Sequence, residues 1–287
     1  MFKFHIIALL LGTILDFFIG RIYSIPYPFD GIKKWIEYLD RALLGDDLIL
    51  LEAEKQRSLG AFALMLVIVP ALAVSTFFIM LCYEIWLPLG ILFEAVLTYF
   101  CLEENYLYNY GKDEIARLSV RGRNTEESEI KMVISTIAND ASDHVISPLF
   151  IMFLFGPVGG VLYRTLDLMD SLIGYRGARY EYFGYYTARL NKLVDYLPGR
   201  FSGALAVFSA RHTFGGFNGK NARYINMRDK NKAIAAFAGA IDISLKGNTI
   251  GDDDKVAGLA DINKAICLMR NMYVVCQLIL VLMLVFF

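Results

Sequence analysis

The chain has 287 residues, 56% apolar and 20% charged, with a mean hydropathy of +0.47 and a formal net charge of -1. That balance is too apolar for an ordinary soluble domain, and the apolar residues are gathered into runs, so it points to a membrane protein. No basic block and no RNA- or DNA-binding signature is present, which argues against nucleic acid as a partner.

Residues 2–19 are apolar apart from Lys3, His5 and Asp16, with no small-residue cleavage site behind them. They read as a retained first transmembrane helix. Asp16, near its end, is costly in a bilayer unless it meets a partner or an aqueous pocket, so it is a site candidate, with interfacial capping as the alternative. After the Pro-broken aromatic turn from Tyr23 to Pro28, Ile32, Trp35, Ile36 and Leu39 recur at helical spacing, with Lys33, Lys34 and Arg41 between or after them. This pattern predicts an amphipathic helix, lying on the membrane surface or packed against a neighbour. Residues 46–57 form a mixed-charge connection.

Two apolar runs, 59–83 and 85–102, meet at Glu84, Trp86, Pro88 and Gly90 and predict a tight transmembrane hairpin with Pro70 inside its first helix. Tyr83 and Trp86 suit an interfacial belt. Polar sequence from 103 to 128 leads to a helix that begins at 130–137 and carries Asn139, Asp140, Asp143 and His144 towards Pro148. The following apolar run is interrupted by Gly156-Pro157 and Gly159-Gly160, leaving about eleven unbroken residues against the roughly twenty needed to cross. A broken or re-entrant segment is expected there. With it, every Lys and Arg except Lys3 falls on one side of the membrane, as the positive-inside rule expects of the cytoplasm.

Residues 167–200 are neither an apolar run nor a plain polar loop. Asp167, Asp170 and Asp195 are interleaved with Arg176, Arg179, Arg189, Lys192 and Arg200, and Gly174, Gly177 and Gly184 punctuate them. Mixed charge of this kind can hold a phosphorylated ligand with its divalent cation. A solvated, salt-bridged face is the plainer reading. Beyond it, Phe201 to Phe208 is a short apolar piece, and the GGFNG of 215–219 lacks the preceding strand and following G-K-[ST] of a phosphate loop. Residues 233–243 predict a buried helix. The acidic turn at 252–254 lacks the alternating ligands of an EF-hand. Asp261 starts a last helix that is completed in the membrane at 273–287.

No HExxH, GxSxG or Walker lysine occurs, and His5, His144 and His212 are scattered. His144, beside Asp143, is the histidine to watch, with a structural role as the alternative. Cys82, Cys101, Cys267 and Cys276 lie in or beside apolar runs without a CxxC pair, so they read as buried thiols. The expected fold is all-α: a polytopic integral membrane protein with about four transmembrane helices. The spans fall near 2–19, 59–83, 85–102 and 271–287, with a broken segment at 145–163 and amphipathic cytoplasmic helices. A motif region at 164–270 faces the cytoplasm, and residues 1–287 form a single membrane-embedded domain.

The run from Ser135 to Arg200, with STIANDASDHVISPLF, YRTLDLMDSLIGYR, FGYYTARL and DYLPGR, resembles the adenosylcobinamide-phosphate synthases of cobalamin biosynthesis, the CobD/CbiB family. LDFFIG at 15–20, followed by Pro26 and Pro28, resembles that family's amino-terminal motif, and AGA at 238–240 part of its carboxyl-terminal one. The resemblance implies an enzyme in the cytoplasmic membrane of a prokaryote that joins the carboxylate of adenosylcobyric acid to the amine of an amino alcohol phosphate. Its cofactors would be Mg²⁺ and, as co-substrate, ATP. Its partners would be the corrinoid and amino alcohol phosphate, the lipid bilayer and other cobalamin-assembly membrane proteins.

By the same resemblance, Asp170, Arg176 and Arg189 are the catalytic candidates. Arg164, Ser171, Gly174, Tyr175 and Arg200 would bind substrate and phosphate, and Asp140, Asp143, Asp167 and Asp170 would hold metal. There are departures. The family's G-D-P and H-P-V become Gly20-Arg21-Ile22 and Tyr27-Pro28-Phe29, and its E-T-x-A-E-N becomes Ser135 to Asp140, without both glutamates. Asn191-Lys192 stands where the family tends to have two acids, and Met227-Arg228-Asp229 and Ile234 replace S-P-N and a glutamate. Either Asp140, Asp167 and Asp195 rebuild the site, or the chain is a repurposed, AmpE-like paralogue that senses or scaffolds. A transporter would need charge along several spans, which carry few acids beyond Asp16, Glu84 and Glu94.

Overall fold

A computed structural model describes residues 2–20, 27–45, 52–122, 125–174, 178–223, 232–245 and 255–286. Among these the regular structure is helical and no strand forms, so the chain is an all-α membrane protein. The helices are α1 (Phe2–Ile19), α2 (Pro28–Leu43), α3 (Ala53–Ile85), α4 (Leu87–Cys101), α5 (Glu104–Arg121) and α6 (Glu127–Asp140). A π-helical turn, Ala141–Ile146, leads to α7 (Ser147–Ile173), α8 (Tyr185–Val194), α9 (Tyr196–His212), α10 (Lys232–Ile241) and α11 (Leu259–Phe286).

Three stretches among the described residues are long and apolar enough to cross a membrane: Ala53–Ile85, Glu127–Ile173 and Leu259–Phe286. α3 runs unbroken through Pro70 and presents Phe62, Met65, Val69, Phe77 and Met80 outward. A contiguous apolar surface of that kind belongs against lipid. α1 and α4 are shorter, with 18 and 15 residues. They rise about 27 and about 22 Å, against roughly 30 Å of hydrocarbon core. Within α7 the backbone leaves helical geometry at Gly156, with φ 75 and ψ -176. Pro157 is the cause: its ring disfavours the helical region for the residue before it, and glycine supplies the positive φ.

The chain divides into two compact units. The first comprises Met1–Gly12, Ile22–Cys101 and Ile151–Tyr196. Its core gathers Ile36, Leu39 and Leu44 with Ala63 and Val67 of α3, Met169 and Ile173 of α7, and Phe183. The amphipathic stripe of α2 thus packs against neighbouring helices through Ile36 and Leu39, while Trp35 stays exposed and donates its indole N–H to the Leu66 carbonyl at 3.2 Å. α3 and α4 form a helical hairpin at Trp86, whose backbone turns extended. Gly90 has no side chain because the Tyr83 ring lies where one would stand, 2.5 Å from an ideal Cβ. Tyr83 then donates to Glu94 Oε2 at 2.6 Å, and Glu94 Oε1 pairs with His5 Nδ1. The other His5 nitrogen faces the Met152 carbonyl at 3.0 Å. The acid inside this hairpin is therefore satisfied by protein, as a buried carboxylate must be.

The second unit comprises Thr13–Arg21, Leu102–Phe150 and Leu197–Phe287. Leu107 and Leu118 of α5, Ile130, Ile134 and Ile137 of α6, and Ile266, Met269 and Tyr273 of α11 are buried in it. Gly111 lets α5 approach closely, since a Cβ there would meet Ile266 at 2.6 Å. Ala233 to Ile241 of α10 are buried throughout. Asp16, only 3% exposed, accepts from the Glu104 backbone N–H at 3.0 Å and from the Tyr273 hydroxyl at 3.3 Å. Glu104, fully buried, takes the Arg270 Nε–H at 2.9 Å. The Arg270 guanidinium in turn lies 3.7 Å from the centre of the Tyr108 ring. Asp16 is thus part of a buried structural network.

Candidate functional site

The site residues expected from the sequence fall on both units. Arg164, Asp167, Asp170, Ser171, Gly174 and Arg189 belong to the first, whereas Asp140, Asp143 and Arg200 belong to the second. Tyr175 and Arg176 lie outside the described residues.

On α7, Arg164, Asp167 and Asp170 follow one another at single-turn spacing and so share a face. Arg164 is 8% exposed, with Nη1 3.7 Å from Asp167 Oδ2 and its guanidinium 5.9 Å from the Phe29 ring centre. Asp170 accepts a hydrogen bond from Asn191 Nδ2 of α8 at 3.2 Å. α7 ends at Gly174, whose N–H donates to the Asp170 carbonyl at 2.9 Å. A Cβ at Gly174 would stand 2.2 Å from that carbonyl and 2.4 Å from Asp170 Oδ1. Gly174 therefore leaves room for the Asp170 carboxylate. Ser171 is exposed and turns its hydroxyl back to the Leu168 carbonyl at 2.8 Å. Tyr163, adjacent to Arg164 on α7, donates to Asp195 Oδ1 at 3.0 Å, so Asp195 serves to join the end of α8 to α7.

In the second unit Asp140 ends α6 and Asp143 sits in the π turn with His144. Asn139 Nδ2 donates to Asp143 Oδ2 at 2.9 Å, and His144 Nδ1 pairs with Glu103 at 3.0 Å. π turns of this kind recur at functional sites. Arg200 is half-buried on α9. Among the described residues no three His, Cys, Asp or Glu side chains gather as a metal cage. The carboxylates come in pairs along single helical segments, and a pair can hold Mg²⁺ only when phosphate oxygens and water complete its shell.

The exposed face of α8 opens on a cavity of about 320 Å³ lined by Arg57, Glu181, Tyr182, Tyr185, Ala188, Arg189 and Lys192. The Arg57 guanidinium lies 5.4 Å from the Tyr182 ring centre and 4.9 Å from that of Tyr185, and the Arg189 guanidinium lies 5.0 Å from the Tyr185 ring centre. What positions Arg57 is Gly60, one turn later on α3. A Cβ at Gly60 would be 1.9 Å from the Phe183 carbonyl oxygen, so only glycine admits the 183 backbone this close. Gly184 does the same towards α7, its Cβ position being 2.0 Å from the Ile173 carbonyl oxygen. One short helix, α8, thus presents Arg189 and Lys192 to the cavity and Asn191 to Asp170.

Arg57 had no signal in the sequence beyond a cation at the foot of an apolar run. Tyr182, Tyr185 and Glu181 were equally silent. Nearby, Tyr180 donates to Asp40 Oδ2 at 3.1 Å, and Arg179 pairs with the same carboxylate at 3.5 Å. Burial, with Asp40 adding to it, pushes the Tyr180 phenol above its ordinary range.

These features define an all-α membrane protein that carries paired acids and a cationic, tyrosine-lined cavity on one helical corner. A family description, CobD/Cbib protein, matches residues 9–269, and the chain belongs to that family. Its relatives include the probable cobalamin biosynthesis protein CobD of Archaeoglobus fulgidus, 32% identical over 69% of this chain and 68% of that protein. The cobalamin biosynthesis protein CobD of Streptococcus sanguinis is 29% identical over 92% of each chain, and that of Halalkalibacterium halodurans 28% over 74% and 69%. No solved structure matches.

Proposed function

We propose that the protein is an ATP-dependent ligase of cobalamin biosynthesis, joining adenosylcobyric acid to an amino alcohol phosphate in a prokaryotic cytoplasmic membrane. Membership of the CobD/Cbib family over residues 9–269 carries this reading. The geometry around α8 supports it, because acids and unneutralised cations stand on one helical corner. The motif region would face the cytoplasm, and other cobalamin-assembly membrane proteins would be its neighbours.

A carboxylate does not condense with an amine unaided. One carboxylate oxygen of the corrinoid would attack the γ-phosphorus of ATP and expel ADP, giving an acyl phosphate. The amine nitrogen would then attack the acyl carbon, and inorganic phosphate would leave with the electron pair of the broken C–O bond. Arg164 and Arg189, and by the family resemblance Arg176 and Arg200, would neutralise phosphoryl oxygens as charge builds. Asp167 and Asp170 would hold Mg²⁺, with Asp140 and Asp143 as the second carboxylate pair. The donor set fits a cation that arrives on nucleotide phosphates, since two carboxylates leave most of an octahedral shell to phosphate and water. When bound, that cation would supply charge neutralisation on the phosphates. Asn191 would hold Asp170 in place, and Gly174 would keep the space beside it open.

The test is an ATP-dependent coupling assay on the purified protein with adenosylcobyric acid, aminopropanol phosphate and Mg²⁺, beside Asp170→Asn. Product from the native chain, and a loss of at least about 100-fold in a variant that still melts cooperatively, is the expected result. A second reading, a repurposed AmpE-like paralogue with a sensing or scaffolding role, is favoured by one observation: Asn191, a neutral amide, occupies Asp170. No product with either aminopropanol or ethanolamine phosphate would select it.

A further inference from the structure

We propose that the 320 Å³ cavity of the first unit is a recognition site for a small phosphate monoester that also carries an ammonium group, with Arg57 and Glu181 as its specificity-determining residues. The identity of this ligand as the amine substrate rests on the ligase reading above; the charge pattern does not. Arg57, Arg189 and Lys192 converge on the cavity, and none of the three has an ion-pair partner among the described residues. Arg57 Nε is moreover buried without a hydrogen-bond partner among those residues. An orphaned buried donor is costly unless an acceptor completes it, and the exposed Arg189 and Lys192 add positive charge beside it that an anion would engage. Two arginines and a lysine suit a dianionic phosphate: the guanidinium forks take paired oxygens and the ammonium acts as a point charge.

Size and the remaining charge narrow the ligand. A volume of 320 Å³ holds about ten water-sized groups, which suits a phosphorylated amino alcohol of about nine heavy atoms and is too small for a nucleoside triphosphate. Among the described residues Glu181 is the only acid lining the cavity, and no ion pair engages it. A ligand ammonium would pair with it. Both tyrosine rings lie close to the Arg57 guanidinium, which restrains its fork before the ligand arrives. In the coupling reaction Glu181 would accept a proton from the ammonium, leaving the nitrogen lone pair free to attack.

Phosphate and ammonium also occur together in the phosphatidylethanolamine headgroup, so the test separates the sources. The full chain is placed in phosphatidylcholine nanodiscs and titrated calorimetrically with ethanolamine phosphate, glycerol phosphate and inorganic phosphate. Arg57→Gln should weaken all three by roughly 10- to 100-fold, and Arg57→Lys should recover part of the loss. Glu181→Gln should weaken ethanolamine phosphate about tenfold and leave glycerol phosphate unchanged. Equal affinities in wild type and Arg57→Gln, or loss of both esters in Glu181→Gln, would overturn the assignment. So would competition from nanodiscs made with phosphatidylethanolamine, which would make the cavity a lipid site. Binding as described without any coupled product would sink the ligase reading and leave the cavity standing. Coupling with an unchanged KM for the amine in both variants would do the reverse.

Discussion

Gly60 is the position where the geometry of the cavity and the stability of the first unit meet. An ideal Cβ there would lie 1.9 Å from the Phe183 carbonyl oxygen and 2.8 Å from its carbon. A close carbon–oxygen contact is roughly 3.3 Å, so Gly60→Ala forces α3 and the 183 backbone about 1.4 Å apart. Both partners are backbone, so no rotamer can absorb the change. Overpacking of this kind costs about 1–3 kcal/mol, offset by the 0.5–1 kcal/mol or so that alanine gains over glycine within a helix. The net expectation is a loss of about 1–2 kcal/mol and a fall in melting temperature of roughly 2–6 °C for a chain of this size. Gly31→Ala on α2 is the matched control, because a Cβ there meets nothing within 4 Å; it should stabilise by about 0.5 kcal/mol. Thermal unfolding of the three proteins in one detergent measures the difference. Displacing α3 also carries Arg57 away from Tyr182 and Tyr185, so phosphate affinity should fall with stability in Gly60→Ala only. A Gly60→Ala protein that melts at or above the wild type would refute the close packing, and with it the account of how Arg57 is placed.

Two further predictions concern the polar and torsional features. Burial holds the Glu104 carboxyl above its ordinary 4.5, with Arg270 opposing the shift. The folded state therefore binds this proton more tightly than the unfolded one. Stability from this group is fully present below about pH 4.5 and is lost as pH rises through the folded value. Glu104→Gln should remove that decline, and Arg270→Met, by deleting the opposing charge, should move it to higher pH; melting curves taken from pH 4 upward would show both. At Gly156 a Cβ meets nothing within 4 Å, so Gly156→Ala carries only the torsional cost of φ 75 and ψ -176, about 1–3 kcal/mol. Adding Pro157→Ala relieves the restraint on residue 156, so the double variant should melt higher than the sum of the two single losses. Simple additivity would show that Pro157 is not the cause of the break.

The architecture was legible wherever apolar residues carried the signal. The all-α membrane class, the stripe of Ile36 and Leu39, the hairpin at Trp86 and the buried run of α10 all follow from periodicity or run length. α5 did not, because its buried face is only Glu104, Leu107, Gly111 and Leu118, too sparse to stand out among charges. The short apolar piece at 201–208 is the middle of α9, whose first turn reads as a Pro-Gly loop. Asp16 could be singled out from sequence as an acid at membrane depth, but its partners are Glu104 and Tyr273, 88 and 257 residues away. The cavity was illegible for the same reason. Arg57 comes from the foot of α3 and Arg189 from α8, and only the close approach at Gly60 brings them together.

The substitution of Asn191-Lys192 for the acids that the family resemblance leads one to expect then acquires a physical meaning. Lys192 lines the cavity and adds a cation to Arg57 and Arg189, while Asn191 turns to Asp170 and donates to it. Two acids at these positions would repel Asp170 and draw a divalent cation to the foot of α8. The amide and the lysine instead neutralise part of the demand of Asp170 and make the cavity side more positive. The charge balance at this corner shifts from acidic towards basic. Among the described residues no third acid joins Asp167 and Asp170, so on the proposed reading a cation there would need ligand oxygens to complete its shell.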